Sequence, residues 1–187
     1  MRKLKITEMG RMNTEEFKAS EKMPLTVVLD DVRSMYNVGS VFRTADAFRV
    51  EAIYLCGITA CPPHPEIHKT ALGAEDTVEW RHFGSTMEAV DELRAKGHVV
   101  FSIEQCEGST MLQHLDLHDC DAMPARVDAT GFAIVMGNEV KGVKQEVVNA
   151  SDACIEIPQY GTKHSLNVST TAGIVIWEFA RQLLIKK

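Results

Sequence analysis

Residues 132–171 constrain this chain more than any other stretch of it. They read Phe132-Ala-Ile-Val-Met-Gly-Asn-Glu-Val-Lys-Gly-Val143, then Ile155-Glu-Ile-Pro158, then Ser165-Leu-Asn-Val-Ser-Thr-Thr171. Two short apolar runs each break into a loop rich in Gly, Asn, Ser and charge. The second loop runs straight into a helix-like apolar stretch at 172–184. Apolar runs of strand length bounded by such turns read as buried strands. Where a buried strand ends in a loop that feeds a helix N-terminus, α/β proteins bind small molecules. A third segment, Tyr36-Asn-Val-Gly-Ser-Val-Phe-Arg43, has the same construction. Three such loops in a chain of 187 residues point to one composite site.

The rest of the chain supplies the frame. Strands are expected at 25–29, 52–56, 98–103, 132–136 and 153–157, from short β-branched apolar runs. Helices are expected at 13–20, 38–48, 85–96, 144–150 and 168–185, with a weaker helix or turn at 110–117. The helix at 38–48 has an apolar face of Val41, Phe42, Ala45 and Phe48, and Gly97 closes the helix at 85–96. Residues 57–77, containing Cys61-Pro-Pro-His-Pro65, form a long irregular stretch with a helical turn at 67–72. Loops of that length tend to be functional or mobile. Strands alternating with helices predict an α/β fold, a mainly parallel sheet with helices on both faces. Residues 1–24 read as an N-terminal extension and 25–187 as one domain.

Composition removes several function classes. A hydrophobic content of 45% supports a core. No apolar run approaches the roughly 18 residues of a membrane helix. The basic start Met1-Arg-Lys-Leu-Lys5 has no apolar stretch behind it, so no signal peptide is expected and the cytoplasm is the expected compartment. Five cysteines, an odd number without CxxC spacing, indicate neither a disulfide framework nor a zinc site. His64 and His68 are interrupted by Pro65, and His114 and His118 sit among Asp116 and Asp119 as a solvated face, so no metal is expected. The net charge of −6 argues against nonspecific coating of nucleic acid. It leaves room for a local basic patch: Arg33, Arg43, Lys69, Lys141, Lys144, Lys163 and His164 lie in or beside the three loops.

Taken singly, each loop has an ordinary explanation. Asn37 could cap a helix that carries Arg43 on its surface about one and a half turns later. Gly39 would let a ligand approach the backbone. The segment Gly137-Asn-Glu-Val-Lys-Gly142 could be a plain turn with solvated charges, and Ser165 and Asn167 are preferred helix caps. No Gly-x-Gly-x-x-Gly follows any strand, which disfavours a dinucleotide site.

Together, the ordered set Asn37…Arg43, Met136-Gly-Asn-Glu139…Gly142 and Ile157-Pro158…Ser165-Leu-Asn-Val-Ser169 resembles a known family. It is similar to the three signature motifs of the SpoU (TrmH) RNA ribose 2′-O-methyltransferases of the SPOUT superfamily, over residues 25–185. The resemblance implies a C-terminal deep trefoil knot, a homodimer, and S-adenosylmethionine bound in the knot. Backbone groups around Ile103, Glu104, Gly137, Ile157 and Leu166 would hold its adenine and ribose. The implied reaction is an in-line displacement by a ribose 2′-hydroxyl, which asks for positioning and for relief of charge at the nucleophile.

By the same resemblance Arg43 matches the catalytic arginine. Guanidinium groups hold their proton in proteins, so stabilising the developing alkoxide or gripping the neighbouring phosphate suits Arg43 better than acting as base. Asn37, Glu139, Ser165 and Asn167 match the remaining catalytic positions. Glu139 is expected to orient Arg43, and Ser165 and Asn167 to shape the third loop and its substrate contacts. The intact set argues against a knotted RNA-binding protein that has lost catalysis. Larger rRNA-directed members carry an extra N-terminal RNA-binding domain, which the residues before Leu25 are too few to hold. The expected partner is therefore RNA, and tRNA rather than rRNA. The last helix, with Ile174, Ile176, Trp177, Phe179 and Leu183, is expected at or near the subunit interface.

Overall fold

The computed structural model describes residues 1–119, 129–163 and 165–185. Its seven strands are β1 (Met23–Asp30), β2 (Val50–Cys56), β3 (Glu79–Phe83), β4 (His98–Ile103), β5 (Thr110–Met111), β6 (Gly131–Met136) and β7 (Ala153–Glu156). They form one sheet in the order β3-β2-β1-β6-β4-β7-β5, and every pairing is parallel. The apolar run at 132–136 becomes the centre of that sheet: β6 is buried along its whole length between β1 and β4. A parallel strand covered on both faces must be apolar at every position, which is how Phe-Ala-Ile-Val-Met reads.

Among the described residues six α-helices pack around the sheet: α1 (Thr14–Ala19), α2 (Met35–Ala47), α3 (Pro65–Ala71), α4 (Thr86–Ala95), α5 (Gln145–Ala150) and α6 (Val168–Leu183). The pleat divides the core in two. Val27, Leu29, Phe101 and Ile134 face Val41 and Phe42 of α2, Ile67 of α3 and Val175 and Phe179 of α6. Val28, Val100, Ala133 and Val135 face Val90 and Leu93 of α4 and Val147 of α5. Phe179 packs edge-on against Phe101 and Phe132, with centroids 5.9 and 5.8 Å away. Truncating a buried ring of this kind costs about 3–5 kcal/mol. The expected short helix near the N-terminus is α1, closed by a capping box between Asn13 and Glu16, and its Phe17 enters the first core.

Three local readings need correction. Residues 79–83 form β3, where no strand was expected; Glu79-Trp-Arg-His-Phe83 is an edge strand with mostly exposed side chains, so it lacks an apolar run. Of the weaker helix or turn expected at 110–117, the turn is found, as a 3₁₀ turn at Leu112–His114, and the two-residue β5 precedes it. The helix expected from residue 38 begins at Met35, because Ser34 is its N-cap and accepts from Asn37 N at 3.3 Å. Gly39 opens no path to a ligand: a Cβ there would lie 2.2 Å from Ile67 O and 2.2 Å from Thr70 Oγ1, so it lets α3 pack on α2.

The histidine pairs take ordinary structural work. His64 caps α3, with Nδ1 accepting from Glu66 N at 3.2 Å, and His68 Nδ1 lies 2.5 Å from Glu75 Oε1. His118 Nε2 lies 3.2 Å from the Gln182 carbonyl. Cys56, Cys61, Cys106 and Cys154 are free thiols, while Cys120 and His164 lie outside the described residues.

Candidate active site

The loop that leaves β6 folds back on itself at once. Asn138 N donates to Gly142 O at 3.0 Å and Gly142 N to Asn138 O at 2.9 Å, while Asn138 Oδ1 accepts from Val140 N and Lys141 N at 2.9 and 3.1 Å. Gly142 takes a φ of 68°, open to glycine at little cost. Gly137 is required for a different reason. A Cβ there would lie 2.1 Å from Gly142 C and 2.2 Å from Val143 N, and backbone cannot yield as a side chain can. Gly137→Ala is expected to destabilise the chain by about 1–3 kcal/mol. Gly161→Ala, where a Cβ meets nothing within 4 Å, is the control. Equal denaturation midpoints for the two variants would refute this account of the turn.

Glu139 is the joint of the site. Its Oε2 accepts from Arg33 N at 2.9 Å, and its Oε1 accepts from Ser34 N at 2.9 Å and Asn37 Nδ2 at 3.1 Å. Burial pushes this carboxyl up, but the hydrogen bonds from Arg33, Ser34 and Asn37 outweigh it and hold the group below the usual carboxylate value. Asn37, freed from capping because Ser34 does that work, passes the contact on: its Oδ1 accepts from Asn167 Nδ2 at 3.0 Å. Asn167 is meanwhile the N-cap of α6, its Oδ1 accepting from Ser169 N at 2.9 Å and Thr170 N at 3.3 Å. A continuous set of side-chain bonds thus joins the start of α2, the loop after β6 and the start of α6. These are the three sequence motifs, brought together across separations of 102 and 130 residues.

Beside this joint lies a cavity of about 480 Å³, within the roughly 300–1,000 Å³ of small-molecule sites. Ile103, Glu104, Gly137, Ile157 and Leu166 all line it, together with Glu139 and Ser165. Glu104 contributes its side chain to the wall as well as its backbone: Oε2 accepts from Val143 N and Oε1 from Gln105 N, each at 2.9 Å. The same carboxylate occupies the space a Cβ on Gly142 would need, at 2.1 Å. Three carboxylates, Glu104, Glu139 and Glu156, face one cation, Lys141, in the lining.

Asn37, Arg43 and Asn167 do not line the cavity. Arg43 is exposed on α2, and its side chain makes no hydrogen bond or ion pair among the described residues. Glu139 makes no direct bond to Arg43 among the described residues; backbone amides and Asn37 occupy its oxygens instead. The amides of Arg33 and Ser34 had no distinguishing signal, since a backbone donor carries none in sequence. The only hint was position, between a strand end and a helix.

The geometry agrees with comparisons to known proteins. The profile of the SpoU rRNA Methylase family matches residues 24–177. The chain is 31% identical over 163 residues to the 23S rRNA (guanosine-2′-O-)-methyltransferase RlmB of Neisseria meningitidis, covering 87% of this chain and 60% of that protein. It is 29% identical over 178 residues to the tRNA (guanosine(18)-2′-O)-methyltransferase of Thermus thermophilus, covering 95% of this chain and 85% of that one. Its fold is similar to the AdoMet-bound rRNA methyltransferase of Sinorhizobium meliloti, with a TM-score of 0.75 at 28% identity over 89% of this chain and 59% of that one. The A. aeolicus TrmH/SpoU tRNA modifying enzyme gives a TM-score of 0.74 at 25% identity, over 90% and 79% of the two chains. The chain thus spans about 60% of the length of the RlmB protein it matches. With its parallel α/β sheet, its three joined motifs and the matched span of 24–177, the chain belongs to the SpoU rRNA methylase family.

Proposed function

We propose that this chain binds S-adenosylmethionine in the 480 Å³ cavity and transfers its methyl group to a ribose 2′-hydroxyl of RNA. The observation that carries the reading is the bonded joint Glu139–Asn37–Asn167, which gathers the three motifs beside one cavity. The lining suits the cofactor. Ile103, Ile157 and Leu166 offer aliphatic surface to a base, and the excess of carboxylates over Lys141 favours a ligand bearing a sulfonium and an ammonium. Bound there, the cofactor supplies an electrophilic methyl group. The relatives' names and the AdoMet-bound neighbour support the same chemistry.

The chain's own residues then divide the work. Glu139 and Asn37 fix the start of α2, and with it the helix that carries Arg43. Arg43 supplies a fixed positive charge to the developing alkoxide or the adjacent phosphate. Ser165, at the cavity edge, and Asn167, at the α6 cap, shape the substrate side of the third loop. The path from β6 through α5 and β7 back to Asn37 is compatible with the knot that the family resemblance implies. Incubating the full chain with methyl-labelled S-adenosylmethionine and either bulk tRNA or ribosomal RNA tests the function. Label should appear in 2′-O-methyl nucleosides after complete digestion, and the RNA that takes it identifies the substrate class. Label in bases alone, or in neither RNA, would overturn the assignment.

The active form we propose is a homodimer, and the exposure of α6 supports one surface for it. Ile176 and Phe179 are fully buried in the core of one chain, which removes them from the expected interface. Ile174 and Trp177 remain 37% and 49% exposed on the opposite side of α6, and an apolar stripe of that kind needs cover. Sedimentation at micromolar concentration should give twice the 20.8 kDa chain mass. A single 20.8 kDa species would refute the dimer.

A further inference from the structure

A second cavity, of about 310 Å³, lies against the same loop. Asn138, Val140, Lys141 and Gly142 line both cavities, so the loop is their common wall. The rest of the second cavity comes from the end of β1 and the loop after it, the turn after β2 and the N-cap of α5, none of which lines the first. Its floor is fixed by hydrogen bonds and ion pairs. Asp30 is fully buried, with Oδ1 accepting from Thr86 Oγ1 at 2.5 Å and Oδ2 from Lys144 N at 3.1 Å. Lys144 Nζ lies 3.4 Å from Asp30 Oδ1 and 2.6 Å from Asp31 Oδ2. Asp31 Oδ1 accepts from Ile58 N at 2.9 Å, and Asn138 Nδ2 donates to Asp31 O at 2.7 Å. Lys144, one of the lysines in the sequence's basic cluster, is thus tied down and not free for phosphate.

The rim is of another character. Ile58 is 67% exposed and Val140 75%, two aliphatic side chains held in water by a braced base. Arg33 and Lys141 are exposed as well, and their side chains make no hydrogen bond or ion pair among the described residues. Such a cavity favours a ligand with a flat face for the aliphatic rim, hydrogen-bond donors for a carboxylate floor, and an anionic tail for the two exposed cations. A nucleotide has all three. Each Asp31 oxygen keeps lone pairs beyond the partners named above, so the floor can still accept from an amino or imino edge.

We propose that this cavity holds a nucleotide of the substrate RNA, its base against Ile58 and Val140, its donor edge towards Asp31, and its phosphate on Arg33 and Lys141. The inference rests on the RNA reading above and deepens it. It places a base-reading contact one loop away from the cofactor cavity, on unstacked RNA whose edges are exposed. A base with an amino group or a protonated ring nitrogen at that edge is accepted, and one presenting only acceptors there leaves the carboxylate opposed.

The test uses the full chain and two variants, Ile58→Asp and Arg33→Ala, titrated with bulk tRNA and ribosomal RNA from about 50 to 200 mM salt. Neither side chain lines the cofactor cavity, and Arg33→Ala keeps the backbone amide that bonds Glu139, so calorimetry should show S-adenosylmethionine affinity unchanged in both. Ile58→Asp should weaken binding by about tenfold at every salt concentration. Arg33→Ala should weaken it and reduce the slope of log affinity against log salt by about 0.7–0.9. RNA that binds wild type and both variants equally overturns the inference and leaves the RNA reading intact. Wild-type protein that binds neither RNA overturns the RNA reading and this inference with it. Loss of cofactor affinity in either variant would mean that the cavity belongs to the cofactor, and overturns the inference alone. The Ile58 methyl signal in wild-type protein gives a readout that needs no variant. It should shift with nucleoside 5′-monophosphates and stay in place with ribose 5-phosphate, and an equal shift with both overturns the base contact.

Discussion

Replacing Arg43 with alanine should abolish methyl transfer while S-adenosylmethionine still binds with near wild-type affinity. Arg43 stands on the exposed side of α2, outside the cavity lining, so the proposed cofactor site does not call on its side chain. On the mechanism we propose, its charge acts where charge develops, at the attacking oxygen or the phosphate beside it. Losing an interaction made chiefly in the transition state lowers turnover and leaves ground-state binding. Removing one preorganised charge-stabilising donor costs about 10²–10³ in turnover. Calorimetry decides the assignment: a large fall in cofactor affinity would make Arg43 a cofactor residue. Lysine should not rescue the rate, because an ammonium lacks the planar fork of the guanidinium.

Glu139→Gln should have the next largest effect, and on both activities at once. The carboxylate accepts three hydrogen bonds from two sides, at Arg33 N, Ser34 N and Asn37 Nδ2. A carboxamide has one acceptor oxygen, so its NH₂ must face a donor, leaving partly buried N–H groups unpaired at about 1–3 kcal/mol each. Turnover should fall by about 10- to 100-fold, the range that loss corresponds to. Cofactor affinity should fall as well, because the same loop lines the cavity. Asn37→Asp is expected to be at least as harmful, since it sets a second carboxylate against the first. The acid limb of stability supplies an independent check. Glu139 is held below its usual value in the folded chain, so its contribution is fully present above the unfolded pKa of about 4.3 and is lost as pH falls through the folded value. The glutamine variant should lack that part of the pH dependence. Wild-type turnover in Glu139→Gln would leave the joint with no role in catalysis.

The site was legible as a set of loops, not as a set of contacts. Local pattern carried β4, whose bounds His98–Ile103 match the apolar run, and Gly97, whose φ of 82° ends α4 as expected. The family resemblance carried the cavity lining, with Ile103 at the end of β4 and Gly137, Ile157 and Leu166 in the loops beyond β6 and β7. What pattern could not carry was pairing. Glu139 and Arg43 are neighbouring motif residues in sequence logic, yet the carboxylate bonds amides, which look alike in every sequence. Gly39 likewise looked like room for a ligand and proved to be room for α3. The edge strand β3 escaped notice because exposure removes the alternation that marks a strand.

The position of β6 governs how the protein can be made. It lies between β1 and β4, although it is synthesised after both, so the middle of the sheet is filled by a later part of the chain. A nascent chain that has not yet released residues 131–136 carries two separate strand groups with open parallel edges at β1 and β4. Open edges of that kind pair with other chains, and non-local parallel pairing is slow to form. The joint Glu139–Asn37–Asn167 comes later still, because it waits for the cap of α6. No chain that stops short of the α6 cap therefore carries the joint, and between the emergence of β4 and of β6 the open edges at β1 and β4 stay exposed to other chains.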